Sequence, residues 1–359
     1  GEYAGEPNGE VIADVVSGPF VSEVLYSIYT DKATAMLALE KGDVDYLWAP
    51  VGLERGLAET ALNNPDLDVA INPQNGFRYL AFNMRRFPMS EREFRLSIAC
   101  RIDKQFMAET VLGGATIALD TLVPPGYAYW FNEEAVAPCA GLTEQERFEE
   151  AVRILADAGW TWEVEPRWDE GNRDVSPEGR GLRSPDGRLV EELELLAPGP
   201  GYDALRATYA LFIEEWATEV GIPVRAEPTG FSIIVDKVFS PDADYDMYIL
   251  GWGVEPVPSH VFDFFASDQD STSGGFNTPG YSNPAFDVLA DEWNRTRDLE
   301  RARTLVKEAE AILAADQPYV VLFTTPVVEA FRRNVEYPFT EGMGGITWFL
   351  GFPTSVHLR

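Results

Sequence analysis

The chain has 359 residues, 45% hydrophobic and 12% aromatic, enough for two or three domains with a buried core. Its formal net charge of −31 argues against nucleic acid and against an anionic membrane surface, both of which attract Lys and Arg. No stretch approaches the roughly 18 consecutive apolar residues of a membrane span. The sequence opens on Gly1, and Gly1–Pro7 has neither a basic nor an apolar run. Either a targeting segment has been removed or the chain starts inside a longer protein.

In chain order, helices alternate with short apolar strands, the pattern of an α/β fold. Asp31–Lys41 is predicted to be a helix closed by Gly42, followed by a strand at Val44–Trp48 and another at Tyr79–Asn83. Ser90-Glu91-Arg92-Glu93 has the spacing of a capping box and opens a helix carrying Phe94, Ile98 and Ile102 on one face. Asp103 is predicted to cap a helix over Lys104–Leu112, stopped by Gly113-Gly114. A second capping box, Thr143-Glu144-Gln145-Glu146, precedes Phe148, Ala151, Val152 and Leu155 at helical spacing. Trp160–Leu189, rich in charge, Gly and Pro, is expected to be a surface insertion. Strands are expected at Leu193–Ala197, Ile222–Ala226, Met247–Trp252 and Tyr319–Phe323, with a helix at Ala204–Val220. Asn283-Pro284 and Asp298 start two more helices, the second with Ala302, Leu305, Val306, Ala309 and Ile312 facing inward. Two regions resist a single compact domain. The first ~75 residues, at the low end of domain size, hold too few strands to close a sheet, and Tyr337–Arg359 has no helical partner nearby.

Catalytic templates fail in turn. The two histidines, His260 and His357, lie in neither HExxH nor HxH spacing, and there is no GxSxG elbow and no phosphate-binding GxxxxGK loop. Gly342-Met343-Gly344-Gly345 is followed by no capped helix. Cys100 and Cys139 lack the CxxC pairing of a zinc site, so no metal or other cofactor is expected. Cys100, in a semi-apolar helical stretch, is expected to be a small buried hydrophobe, with a disulfide to Cys139 as the alternative in an oxidising compartment. What stands out is rings in loops beside strand ends: Tyr127, Tyr129 and Trp130 after Val123-Pro124-Pro125-Gly126, Trp252 after Gly251, and Phe276 beside Asn277 in a Gly/Ser/Thr loop. Such rings suit a cleft that buries a small ligand.

Tyr79-Leu80-Ala81-Phe82-Asn83, then Arg86-Phe87-Pro88, then Phe94–Lys104 as FRLSIACRIDK, form an ordered set. The set resembles the family 5 extracellular solute-binding proteins, which include the dipeptide-, oligopeptide- and nickel-binding proteins of bacterial ABC importers. Further segments fall in that family's order: Gly42-Asp43-Val44-Asp45, Leu122–Gly126, Ala156–Trp160, Gly221–Val224, Asp244–Trp252 and Gly280–Phe286. The family's early lobe I motif is missing, so the resemblance implies the later part of a longer protein. It implies a two-lobed fold of the periplasmic-binding-protein class II type, α/β with mixed sheets and one lobe incomplete. Residues 1–78 would be a partial lobe I, 79–334 lobe II, and 335–359 the return to lobe I.

In peptide-binding relatives an Asp three residues after the Trp of the Gly-Trp motif holds the peptide's α-amino group. Here that position is Glu255, three residues after Trp252. The implied function is ligand binding without turnover: a monomeric, extracytoplasmic protein that binds a peptide or amine-bearing solute and docks on the membrane permease of an ABC importer. Two alternatives stay open, an oligosaccharide-binding member of the same family, which would not need Glu255, and a sensory module that borrowed the fold.

Overall fold

The computed structural model describes residues 20–49, 52–72, 76–255, 257–336 and 357–358. Helix α1 (Lys32–Lys41) starts where Asp31 accepts the Thr34 N–H and stops where Gly42 takes φ +81°. β1 (Tyr46–Leu47), α2 (Arg55–Asn63), β2 (Leu67–Asn72) and β3 (Phe77–Phe82) come after it. Next are α3 (Arg92–Arg101), α4 (Lys104–Phe106), β4 (Ile117–Ala118) and α5 (Glu144–Asp157). Asp103 caps α4 as expected, but beyond it the backbone widens to a π-helix at Met107–Val111 and no regular helix reaches Leu112. A small hairpin of β5 (Trp168–Asp169) and β6 (Asp174–Val175) precedes β7 (Leu193–Pro198), α6 (Pro200–Glu219), β8 (Val224–Thr229), α7 (Phe231–Val238) and β9 (Met247–Trp252). The chain continues through α8 (His260–Asp263), α9 (Pro284–Trp293), α10 (Leu299–Asp316), β10 (Tyr319–Thr324), β11 (Val327–Arg332), β12 (Val335–Glu336) and β13 (His357–Leu358).

The two capping boxes part ways. At Thr143 both bonds form: the Glu146 N–H donates to Thr143 Oγ1, and the Thr143 N–H to Glu146 Oε2. At Ser90 neither forms. The Ser90 N–H closes a turn on Arg86, its hydroxyl donates to Glu91, and the buried Arg95 head takes its carbonyl, so α3 begins one residue later without a side-chain cap. Cys100 is buried in α3 but is not a free thiol: it is disulfide-bonded to Cys139, with Cα atoms 5.0 Å apart. The expected lone hydrophobe is corrected, because the positive-φ turn at Cys139 brings the second sulfur back to the helix.

The chain divides into two compact units, Gly1–Pro73 with Val327–Arg359, and Gln74–Pro326. The division falls before β11, which pairs antiparallel with β1 and β2 in a sheet of order β1-β11-β2. The larger unit carries a six-stranded mixed sheet of order β4-β10-β3-β9-β7-β8, in which β7 runs parallel to β8 and β9. Its inner strands β3, β9 and β10 are mostly apolar because both faces are covered, whereas the edge strand β8 is largely exposed or half-buried. Leu80, Phe82, Met247, Ile249, Val320 and Leu322 face one core with α3, α5 and α6. Their neighbours Tyr79, Ala81, Tyr248, Leu250, Tyr319 and Val321 face the other, with α7 to α10. A period of two sorts the residues of each strand between the cores.

The expected surface insertion at Trp160–Leu189 is mostly exposed, and a few of its residues anchor it to the body of the unit. Trp160 and Leu182 are buried in the first core, Thr161 bridges to Arg183, and Trp162 Nε1 donates to the Val220 carbonyl at 2.9 Å.

Candidate solute site

Strands β7, β8 and β9 are parallel, so Pro198, Thr229 and Trp252 end at one edge of the sheet, where β3 also begins and β10 ends. In α/β sheets the carboxyl ends of strands are the usual seat of ligands. The backbone there is tight. A Cβ on Gly76 would fall 1.8 Å from the Trp252 carbonyl oxygen, and one on Gly251 2.3 Å from Arg78 Cδ. Gly76 lets the backbone pass close against that of Trp252, and Gly251 lets its strand pass the buried Arg78 side chain. Burial pushes the Arg78 guanidinium down to about 10, with the nearby charge of Arg206 adding to the effect.

Trp252 ends its strand at this edge, but its ring turns back over the second core. It stacks on Phe264 at 4.5 Å and lies parallel to Tyr79 at 6.5 Å, with Phe239 and Phe276 edge-on. Phe276 is the outermost of these rings, 49% exposed. Three residues past Trp252, the Glu255 side chain is exposed. Tyr127 is held beside it: its hydroxyl donates to the Val254 carbonyl at 3.0 Å. Burial raises the Tyr127 phenol above its ordinary range and the negative charge of Glu255 raises it further. The structure thus brings Tyr127, Gly251, Trp252, Glu255 and Phe276 into one neighbourhood.

It sends the other expected site residues elsewhere. Trp130 is buried against Trp293, and Tyr129 leans on α10, donating to Glu300 Oε1 at 3.0 Å under the Arg303 guanidinium. Asn277 is fully buried. Its amide donates to the carbonyls of Ala266 and Tyr281 and its oxygen accepts the Tyr281 N–H, so its hydrogen-bonding capacity is used inside the loop. His260 is buried too, its Nε2 3.0 Å from the Leu122 carbonyl, and burial pushes the imidazole down to about 4. A neutral ring therefore donates Nε2–H to that oxygen.

Sequence reasoning missed the partner of that contact. Glu310, on α10, accepts the Val123 N–H at 3.2 Å, so two titratable side chains grip the two ends of one peptide group, Leu122–Val123, at the root of the Tyr127 loop. Burial pushes Glu310 up to about 8. Its Oε2 has no partner among the described residues, and it lines a cavity of about 30 Å³ with Lys104, Asp120, Gln317 and Tyr319. The signal was present: Glu310 occupies an inward position in the run Val306, Glu310, Leu313. Among the described residues no cluster of three or more His, Cys, Asp and Glu is arranged to hold a metal ion, and no helix is long and apolar enough to cross a membrane.

The fold is that of solved solute-binding proteins. The oligopeptide-binding protein AppA from Bacillus subtilis, in complex with a nonapeptide, matches with a TM-score of 0.73 at 20% identity, over 92% of this chain and 59% of that one. NikZ from Campylobacter jejuni, in complex with Ni(L-His), matches with a TM-score of 0.67 at 18% identity, over 90% of this chain and 59% of that one. The sequence profile of the bacterial extracellular solute-binding proteins, family 5 (middle), matches residues 16–273, and the chain belongs to that family. AppA of Bacillus subtilis (strain 168) is 22% identical over 320 residues, 89% of this chain and 53% of that protein. Heme-binding protein A of Haemophilus influenzae is 22% identical over 326 residues, 89% of this chain and 52% of that protein. The chain thus spans about half the length of these curated relatives.

Proposed function

We propose that the protein carrying this chain is the extracytoplasmic solute-binding component of an ABC importer, and that it binds a peptide or similar amine-bearing solute at the β9 edge without transforming it. The observation that carries the reading is Glu255: an exposed carboxylate three residues past the strand end, beside Tyr127 and the Trp252 ring cluster. An ammonium group placed there gains a charge-assisted hydrogen bond, which contributes more than a neutral one, and the electron-rich faces of nearby rings add cation–π attraction. The disulfide between Cys100 and Cys139 supports an oxidising compartment. Gly251 supports the geometry, since a side chain there would displace Arg78 from under the edge.

The test is calorimetric titration of the full protein with short peptides. Glu255→Gln is expected to weaken binding by roughly 1.5–3 kcal/mol, the range for hydrogen bonds to charged groups, with the melting temperature unchanged. Unaltered affinity in Glu255→Gln, with loss in Trp252→Ala, would remove the ionic anchor and favour a stacked sugar.

A further inference from the structure

A second pair of rings stands in the open on the same sheet edge. Tyr202 and Phe231 stack at 5.0 Å with their planes 20° apart, and they are 37% and 39% exposed. Each comes from the first turn after a strand: Gly199-Pro200-Gly201 leads from β7 to Tyr202, and Gly230 leads from β8 to Phe231. The base beneath Tyr202 is fixed. Asp203 interrupts the helical backbone of α6 at φ −149° and caps the remainder of the helix, accepting the N–H groups of Leu205 and Arg206 at 3.0 and 3.1 Å. Its second oxygen accepts Arg206 Nε at 2.6 Å; both side chains are buried, and the Arg206 guanidinium carbon sits 5.6 Å from the centre of the Tyr202 ring.

More than a third of each ring stays in water, and that part adds nothing to folding, because apolar area stabilises only when it leaves water. Grouped apolar surface on an otherwise highly charged chain marks a place where something apolar binds. The pair is continuous with the proposed solute site: β7 lies between β9 and β8, so Phe231 follows a strand end two places along from Trp252. With strands about 4.8 Å apart, that separation is about 10 Å. An extended peptide advances about 3.3 Å per residue, so a ligand whose amine sits at Glu255 brings its fourth residue level with this pair.

We propose that Tyr202 and Phe231 form a second, apolar subsite that takes a bulky, preferably aromatic, side chain near the fourth position of an extended peptide. The proposal rests on the reading of Glu255 as the amine anchor. In it, Phe231 offers a ring face, Tyr202 holds that ring in place, and Arg206 with Asp203 keeps Tyr202 from folding away.

The test uses the full protein and two probes, an all-alanine pentapeptide and the same peptide with phenylalanine at the fourth position, titrated calorimetrically. The parent is expected to prefer the phenylalanine peptide about tenfold. Phe231→Ala and Tyr202→Ala should cut that preference below twofold, whereas Tyr202→Phe, which keeps the stack, should retain it. Glu255→Gln should weaken both peptides by the same factor and leave the preference intact. A parent that binds both peptides equally, or a preference that survives both alanine variants, overturns the subsite and leaves the amine anchor standing. If neither peptide binds while cellopentaose binds and is lost on Phe231→Ala, the peptide occupant and the anchor fall together.

Discussion

The two compact units of this chain solve the problem of a buried sheet very differently. In Gln74–Pro326 a six-stranded sheet has a packed core on each face, and every residue of β3 and β10 is buried. Among the described residues the smaller unit has a three-stranded sheet, the two-stranded pair β12-β13, and a small core around Met36, Leu39, Leu47, Ala61, Leu67 and Ala330. It also leaves large apolar side chains bare, with Leu25 78% and Ile28 97% exposed and Trp48 half-exposed. Apolar burial scales with the area removed from water. The larger unit should therefore fold on its own and set the main unfolding transition, while the smaller one contributes little.

The strongest way to break that comparison is to delete matched core side chains. Phe82→Ala, in the first core of the larger unit, is expected to cost about 3–5 kcal/mol, and Leu39→Ala, in the smaller unit, to fall near the low end of the roughly 2–5 kcal/mol spread because its surroundings can collapse. Equal losses in denaturant titrations would show that the small core carries as much as the large one. Next in size is the disulfide, which lies wholly inside the larger unit. Cys100 and Cys139 are 39 residues apart, and closing a loop of that length is worth at most about 4 kcal/mol in the chain-entropy account. Cys139→Ser should lower the main calorimetric transition alone, and thiol titration of the denatured, unreduced parent should find neither of these two cysteines free.

A smaller effect should appear with pH. Glu310, pushed up to about 8, binds a proton in the folded state that the unfolded chain has already released above the ordinary carboxylate range. Its contribution to stability is therefore present at low pH and lost as pH rises toward 8. His260, pushed down to about 4, works in the opposite sense, losing stability as pH falls from the ordinary histidine range toward 4. Of the two, Glu310 changes far more above about pH 6.5, where the unfolded histidine has only half a proton left to lose. Between there and pH 8 Glu310 should remove about 2 kcal/mol, by the linkage of proton binding to folding. Thermal unfolding of Glu310→Gln across that interval should be flatter than the parent's; identical slopes would remove Glu310 from the account. The smallest prediction concerns the caps. Thr143→Ala should cost about 1 kcal/mol, the usual size for an N-cap, and Ser90→Ala close to nothing, since no cap forms there.

Those last two sites show what was legible in the sequence. The same four-residue pattern stands at both, and only one makes a capping box, because the buried Arg95 head claims the Ser90 carbonyl together with those of Met89 and Asp316. A contact that spans more than two hundred residues has no local signature. The alternation of helix and strand, the caps at Asp103, Asn283 and Asp298, and the family motifs were all local, and the structure carries them where they were expected. The site was legible only in part. Trp252 stood out as a ring at the end of an apolar strand and Glu255 only through the family resemblance, but whether a loop ring turns outward or inward depends on what packs across from it. Trp130 found Trp293 and Asn277 found the carbonyls of its own loop, and neither partner is adjacent in sequence. Tyr202 and Phe231 escaped notice for the converse reason: each looks like a ring packed at the start of a helix until the sheet order sets them side by side.

The central strand of the smaller sheet has a consequence for how the protein comes off the ribosome. β11 sits between β1 and β2, and the Tyr46 hydroxyl donates to Glu329 Oε1 across 283 residues of chain. β1 and β2 therefore leave the ribosome well before β11, and their pairing with it waits until the whole of Gln74–Pro326 has emerged. Non-local pairing of this kind is slow, and unpaired strand edges are where nascent chains aggregate. The topology thus sets one order: Gln74–Pro326 can fold before β11 takes its place between β1 and β2.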